Sequence, residues 1–233
     1  MRSSSWVFNT VKNTIILLVI FVACCVDVTA VELEFVDEKG NALEYVVVSS
    51  ADSDSLEKIN EPLVMNQVKK QFSPRVLPVR TGQSVSFPNS DNIRHHIYSF
   101  SEAKSFEVNL YSNDESPVIV FEQPGVVVLG CNIHDLMLGY IYVSDTAQFW
   151  VSDANGRVQI PEGVTKATYW HPDLSVDHSA KGELRLENKK LVYPKQFSAE
   201  DGVTKVELKI IGNSLTPNSK QRVFGSNKLL RGQ

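Results

Sequence analysis

The residues best suited to chemistry lie in one stretch, Gly130-Cys131-Asn132-Ile133-His134-Asp135-Leu136-Met137-Leu138-Gly139. A thiol, an imidazole and a thioether follow one another in the pattern Cys-x2-His-x2-Met. Soft sulfur combined with imidazole suits copper in a site of two histidines, one cysteine and a long axial methionine. Cys131, His134 and Met137 leave that set one histidine short. Arg94-His95-His96-Ile97-Tyr98 supplies it upstream. Neighbours on a strand face opposite ways, so one of the two adjacent histidines turns toward the site. His95 is the expected ligand, with His96 as the alternative or as a neighbour of the ligand set.

Other uses of these residues fit less well. Zinc prefers four strong tetrahedral donors, and a thioether is a weak one. A Cys131 nucleophile paired with His134 would leave Met137 without a role, and no oxyanion-hole signature accompanies it. The haem-attachment pattern Cys-x-x-Cys-His, the Walker loop, the dinucleotide fingerprint and His-Glu-x-x-His are all absent. Met65 is a rival thioether whose expected role is core filling. One mononuclear site closed by four protein donors leaves no place for substrate, so the chain is not expected to be an enzyme.

The elements that must position these groups read as strands. Residues 126–129 run into the cysteine loop as an apolar strand, and 140–143 leave it as another. Strand patterns also cover 76–80, 84–87, 106–111 and 118–121, with loop signals between them. The pattern over 62–71 leaves a short helix and an irregular crossing both open. Many short strands without a long helical period point to an all-β sandwich or barrel. Residues 31–145 are read as the copper-binding domain and 146–212 as a small appended β-domain. Thr81-Gly82-Gln83 is expected to turn one strand into the next, and Asp153-Ala154-Asn155-Gly156 carries the Asn-Gly hairpin signal. His171 and His178 have no soft ligand beside them and are expected at the surface.

The chain has 233 residues and a formal net charge of -4, so it lacks the basic footprint of a nucleic-acid binder. With 42% hydrophobic and 21% charged residues it has an ordinary globular composition. At the N-terminus, Arg2 and Lys12 precede an apolar run from Ile15 to Cys25, and Val28-Thr29-Ala30 offers small residues. These features read as a signal peptide over 1–30 cleaved after Ala30. The run is short of the roughly 20 residues that span a bilayer. The expected product is soluble and periplasmic, without a stable membrane span. Of the three cysteines, Cys24 and Cys25 leave with that segment. Cys131 then remains alone in an oxidising compartment, where metal ligation would protect it. The tail over 213–233 carries Lys220, Arg222, Lys228 and Arg231 without an acidic residue, and its composition reads as disorder.

The stretch from Gly125 to Val143, with Cys131, His134 and Met137, resembles the ligand loop of the cupredoxin family. Its Cys-x2-His-x2-Met spacing is especially similar to the amicyanin kind; plastocyanins place the methionine farther on. His95-His96-Ile97 resembles the His-Asn-Ile or His-Asn-Val of that family. Between Gln71 and Val143, three segments are similar to exported cupredoxin-like proteins labelled methylamine utilisation proteins. They are Phe87-Pro88-Asn89-Ser90-Asp91, Tyr98-Ser99-Phe100-Ser101 and Leu129-Gly130-Cys131-Asn132-Ile133-His134-Asp135. The resemblance implies a Greek-key sandwich holding one type 1 (blue) copper through His95, Cys131, His134 and Met137. It implies a carrier of single electrons between redox partner proteins. A copper-binding or delivery module, or a structural β-protein with a vestigial site, are the alternatives. Two positions depart from the family: His96 stands where an asparagine braces the loop, and Asp135 where amicyanin-like loops have proline.

Overall fold

β-Branched and aromatic residues alternate with polar ones along much of this chain, and such segments make half-buried strands. The computed structural model describes residues 30–52, 61–112, 116–134, 136–146, 148–187, 190–193, 196–198 and 203–211. The expected signal segment before Ala30, the basic tail over 213–233 and Asp135 fall outside them. Strands β1 (Ala30–Asp37) and β2 (Val47–Ser50) come first. They are followed by β3 (Leu63–Val64), β4 (Asn66–Val68), β5 (Gln71–Ser73), β6 (Val76–Arg80) and β7 (Ser84–Ser86). Next come β8 (His95–Ser101), β9 (Lys104–Tyr111), β10 (Val118–Val120), β11 (Gly125–Gly130) and β12 (Leu138–Ser144). After these run β13 (Gln148–Val151), β14 (Arg157–Pro161), β15 (Lys166–Trp170) and β16 (Lys181–Glu187). The last are β17 (Lys190–Tyr193), β18 (Gln196–Ser198) and β19 (Thr204–Leu208). The only helical turn among the described residues is a 3-10 turn at Pro172–Leu174. The fold is all-β, and no helix of the described residues is long and apolar enough to cross a membrane.

The candidate ligands belong to a sandwich of two sheets. One has the order β6-β12-β11-β8-β9 and the other β10-β7-β3, with the hairpin β4-β5 at the side. Ile97, Val127, Leu129, Ile141 and Val143 from the larger sheet meet Val85 from the smaller one, together with Met65, Phe87 and Phe121. Met65 is fully buried in this cluster, as core filling requires. Within 62–71, where the pattern was undecided, Leu63–Val64 and Asn66–Val68 pair as strands and residues 69–70 turn into β5.

A second sandwich packs the sheet β14-β1-β19-β18 on the sheet β13-β2-β15-β16-β17. Leu33, Phe35, Val158, Ile160 and Val206 from the first face Val48, Ala167, Leu184 and Leu191 from the second. The division expected at 145 therefore needs correction at its N-terminal side. β1 pairs with β14 and β19, and β2 with β13 and β15, so the first two strands belong with the C-terminal half. Ser50 lies opposite Gln148 in that ladder, so the intervening residues leave the second sandwich and return at one rung. The physical reason is pairing between distant segments, which local alternation does not encode.

The two sandwiches share a seam. Tyr140 and Tyr142 face outward from β12, while Ile141 and Val143 face its own core, so β12 is apolar on both sides. Val47, Val76 and Trp170 complete the seam, with the Tyr142 and Trp170 ring centroids 5.4 Å apart. His171, expected at the surface, is buried here, its Nε2 3.1 Å from the Glu44 carbonyl. The expected turn at Thr81-Gly82-Gln83 and the expected hairpin at Asp153-Ala154-Asn155-Gly156 are both corners between sheets. Gly82 turns the chain from β6 into β7, and Asp153–Gly156 turns it from β13 into β14, but each pair of strands enters different sheets.

Candidate metal centre

Three of the four expected donors meet at one end of the first sandwich. His95 opens β8, and Cys131 follows the last residue of β11. β8 and β11 are hydrogen-bonded neighbours at Tyr98 and Gly130, so the two residues sit on adjacent strands. The Tyr98 ring covers Gly130 closely: a Cβ at this position would lie 2.7 Å from its outer end, so a larger residue would have to push the ring aside. The loop then folds back, with the Met137 amide donating to the His134 carbonyl at 3.1 Å, before β12 starts.

The donor atoms converge. His95 Nδ1 is 3.8 Å and His134 Nδ1 3.7 Å from Cys131 Sγ. All three atoms lie within 4.8 Å of one another. A thiol has a single hydrogen, so it cannot satisfy both imidazoles. Two metal–ligand bonds of about 2.0 and 2.3 Å meeting at a trigonal or tetrahedral angle hold their ends about 3.5–3.7 Å apart. The observed separations are close to that span, and the donor set fits a copper ion by size and by softness. Met137 is buried in the same apolar cluster as Cys131. Cys131 is a free, buried cysteine.

Solvent reaches the group on one side only. His95 is fully buried and Cys131 nearly so, whereas His134 is partly exposed. Its loop neighbours Ile133 and Leu136 are about half exposed, at 48% and 52%. Burial holds the His134 imidazole below its usual basicity, and the charges of His95 and Lys70 add to that, against a smaller opposite pull from Asp91. The shift favours the neutral ring, the form that ligates metals.

The adjacent histidines point to different places. His96 Nε2 is 2.8 Å from Glu107 Oε1, and its ring stands 5.8 Å from that of Tyr98 on the far side of the strand. An irregularity in the β8–β9 ladder falls between His95 and Ile97. His95 Nε2 instead meets Asp91 Oδ2 at 2.9 Å. The Asp91 carboxyl is held below its ordinary range: burial works against this, but the Lys70 and Lys69 amides and His95 outweigh it. In the sequence, Asp91 ends the similar segment Phe87-Pro88-Asn89-Ser90-Asp91 and has no role of its own. Its position four residues before His95, in a turn-rich segment, was the one available signal.

No protein-family model matches the chain, and no curated protein matches it. Among solved structures, a copper-containing nitrite reductase from Thermus scotoductus SA-01 is similar at 28% identity and a TM-score of 0.35, over 40% of this chain and 24% of that one. This chain thus spans about a quarter of the reductase's length. A reduced amicyanin variant is similar at 17% identity and a TM-score of 0.35, over 43% of this chain and 100% of its own. A purple cupredoxin from Nitrosopumilus maritimus is similar at 24% identity and a TM-score of 0.31, over 35% of this chain and 96% of its own.

Proposed function

We propose that the chain binds one copper ion through His95, Cys131, His134 and Met137 and passes single electrons between redox partner proteins in the periplasm. The observation that carries this is the convergence of His95 Nδ1, His134 Nδ1 and Cys131 Sγ within 4.8 Å, from two separate parts of the chain. When bound, copper supplies a centre that changes between Cu(I) and Cu(II) by one electron.

The protein's own residues do the rest. β8, β11 and β12 are hydrogen-bonded neighbours, so the separation of the donors is set before a metal arrives. A preset separation limits rearrangement between oxidation states, which is what electron transfer requires. Met137, a weak donor buried in the same apolar cluster as Cys131, would take an axial position that tunes the potential. Because the donors are all protein groups, with His95, Cys131 and Met137 buried and His134 partly exposed, the arrangement suits a carrier and not an enzyme. His134 and the exposed Ile133 and Leu136 form the edge where a partner protein would dock. Export fits the chain's start: cleavage after Ala30 would remove only the first rung of β1, leaving Val31 opposite Ile160.

The test is the visible and electron paramagnetic resonance spectrum of the mature chain loaded with Cu(II). An intense thiolate-to-copper band, narrow copper hyperfine splitting and a reversible one-electron wave are expected, and Cys131→Ala should abolish the band. Binding of Cu(I) alone, or a Cu(II) form without the band, would remove electron transfer. Ready release of Cu(I) to a chelator would then favour copper delivery.

A further inference from the structure

We propose that Asp91 is a positioning residue for His95, fixed in place by the turn of the β4–β5 hairpin; this rests on the metal site proposed above. His95 is fully buried, and both ring nitrogens are engaged: Nδ1 faces Cys131 Sγ at 3.8 Å and Nε2 faces Asp91 Oδ2 at 2.9 Å. An ionised carboxylate only accepts hydrogen bonds. The hydrogen of a neutral imidazole must therefore sit on Nε2, which leaves the Nδ1 lone pair aimed at the sulfur. Asp91 thus selects the tautomer and the ring rotation that a ligand needs, and its charge makes the ligating nitrogen more basic.

Asp91 is itself held from behind. The Lys69 amide donates to Oδ1 at 2.6 Å and the Lys70 amide to Oδ2 at 2.8 Å. These lysines have φ values of 53° and 60°, a conformation that bulky residues rarely adopt. It turns successive N–H groups to one side, a concave arrangement that receives an anion. Hairpin and loop are further laced together. Gln67 donates its amide to the Pro88 carbonyl, and the Ser90 amide donates to the Gln67 carbonyl, both at 3.0 Å. Asn66 Nδ2 donates to Ser90 Oγ at 2.9 Å. A carboxylate that merely capped the turn would need none of the contact to His95.

The experiment compares the mature wild-type chain with Asp91→Asn, which keeps one acceptor oxygen but loses the other and the charge. Cu(II) affinity should fall about 10–100-fold, with Cu(I) affinity nearly unchanged. Each tenfold change in that ratio raises the reduction potential by about 59 mV. An unchanged ratio in Asp91→Asn would overturn the proposal. So that nothing depends on that variant folding, imidazole nitrogen NMR of the metal-free wild type should show a slowly exchanging hydrogen on His95 Nε2 and none on Nδ1. A hydrogen on Nδ1 would equally overturn it. If the wild type gives no thiolate band with Cu(II), the copper assignment falls, and the NMR result alone decides whether Asp91 orients His95.

Discussion

At the scale of single residues, two adjacent histidines have been given different work by the pleat of one strand. His95 aims its Nδ1 at the cysteine sulfur, while His96 bonds Glu107 on the opposite face. Replacing His96 with Ala should therefore keep the thiolate-to-copper band and Cu(II) affinity within a few-fold, whereas His95→Ala should abolish the band. The two absorption spectra decide this, and the reverse result would exchange the roles. The approach of Cys131 and His134 was legible in the sequence because two donors three residues apart on one short loop keep their spacing whatever the rest of the chain does. His95 was legible because alternation along a strand is local. Asp91 was not, since a carboxylate in a polar loop gains meaning only when tertiary contacts bring a hairpin behind it.

At the scale of elements, the β4–β5 hairpin braces the centre from two sides. Its turn holds Asp91, and Phe72 of β5 packs on Gly139, two residues after Met137. A Cβ on Gly139 would lie 2.8 Å from the Phe72 side chain. Gly139→Ala should then displace the hairpin and destabilise the fold by about 1–3 kcal/mol, as overpacking does. Urea denaturation measures the loss; an unchanged midpoint would count against this brace. Most strands of the first sandwich could be read from alternation. The destinations of the turns could not. Gly82 and Asn155-Gly156 announced reversals of the chain, yet turn chemistry is silent on which sheet receives the next strand.

At the scale of the whole molecule, the seam between the sandwiches carries a proton-linked contribution to stability. His171 is buried with Nε2 on the Glu44 carbonyl and Nδ1 accepting from the Asp173 amide, an arrangement that fits the neutral ring. Burial, helped by the charge of Arg75 and opposed by the Glu44 bond, depresses its pKa from 6.5 to about 4. The unfolded chain thus takes up a proton that the folded chain refuses between these values. The contribution is complete above pH ~6.5 and is lost as pH falls toward ~4, at up to about 1.4 kcal/mol per pH unit. Asp173, whose carboxyl burial pushes up, acts in the opposite sense. Urea midpoints at pH 7 and pH 5 should differ more in the wild type than in His171→Gln; equal differences would show that His171 contributes nothing.

The return of the chain to one rung, Ser50 opposite Gln148, also sets a timetable for synthesis. Once translation has passed Ser144, every proposed copper ligand and every strand of the first sandwich exists. β1 and β2, made first, still have no partner, because β13, β14, β15 and β19 are yet to be made. Domains fold as units while the chain grows, so the inserted sandwich can close first and the surrounding one last. A nascent chain stalled at that stage would expose the open edges of β1 and β2 together with Leu33, Phe35 and Val47, the combination most prone to aggregate.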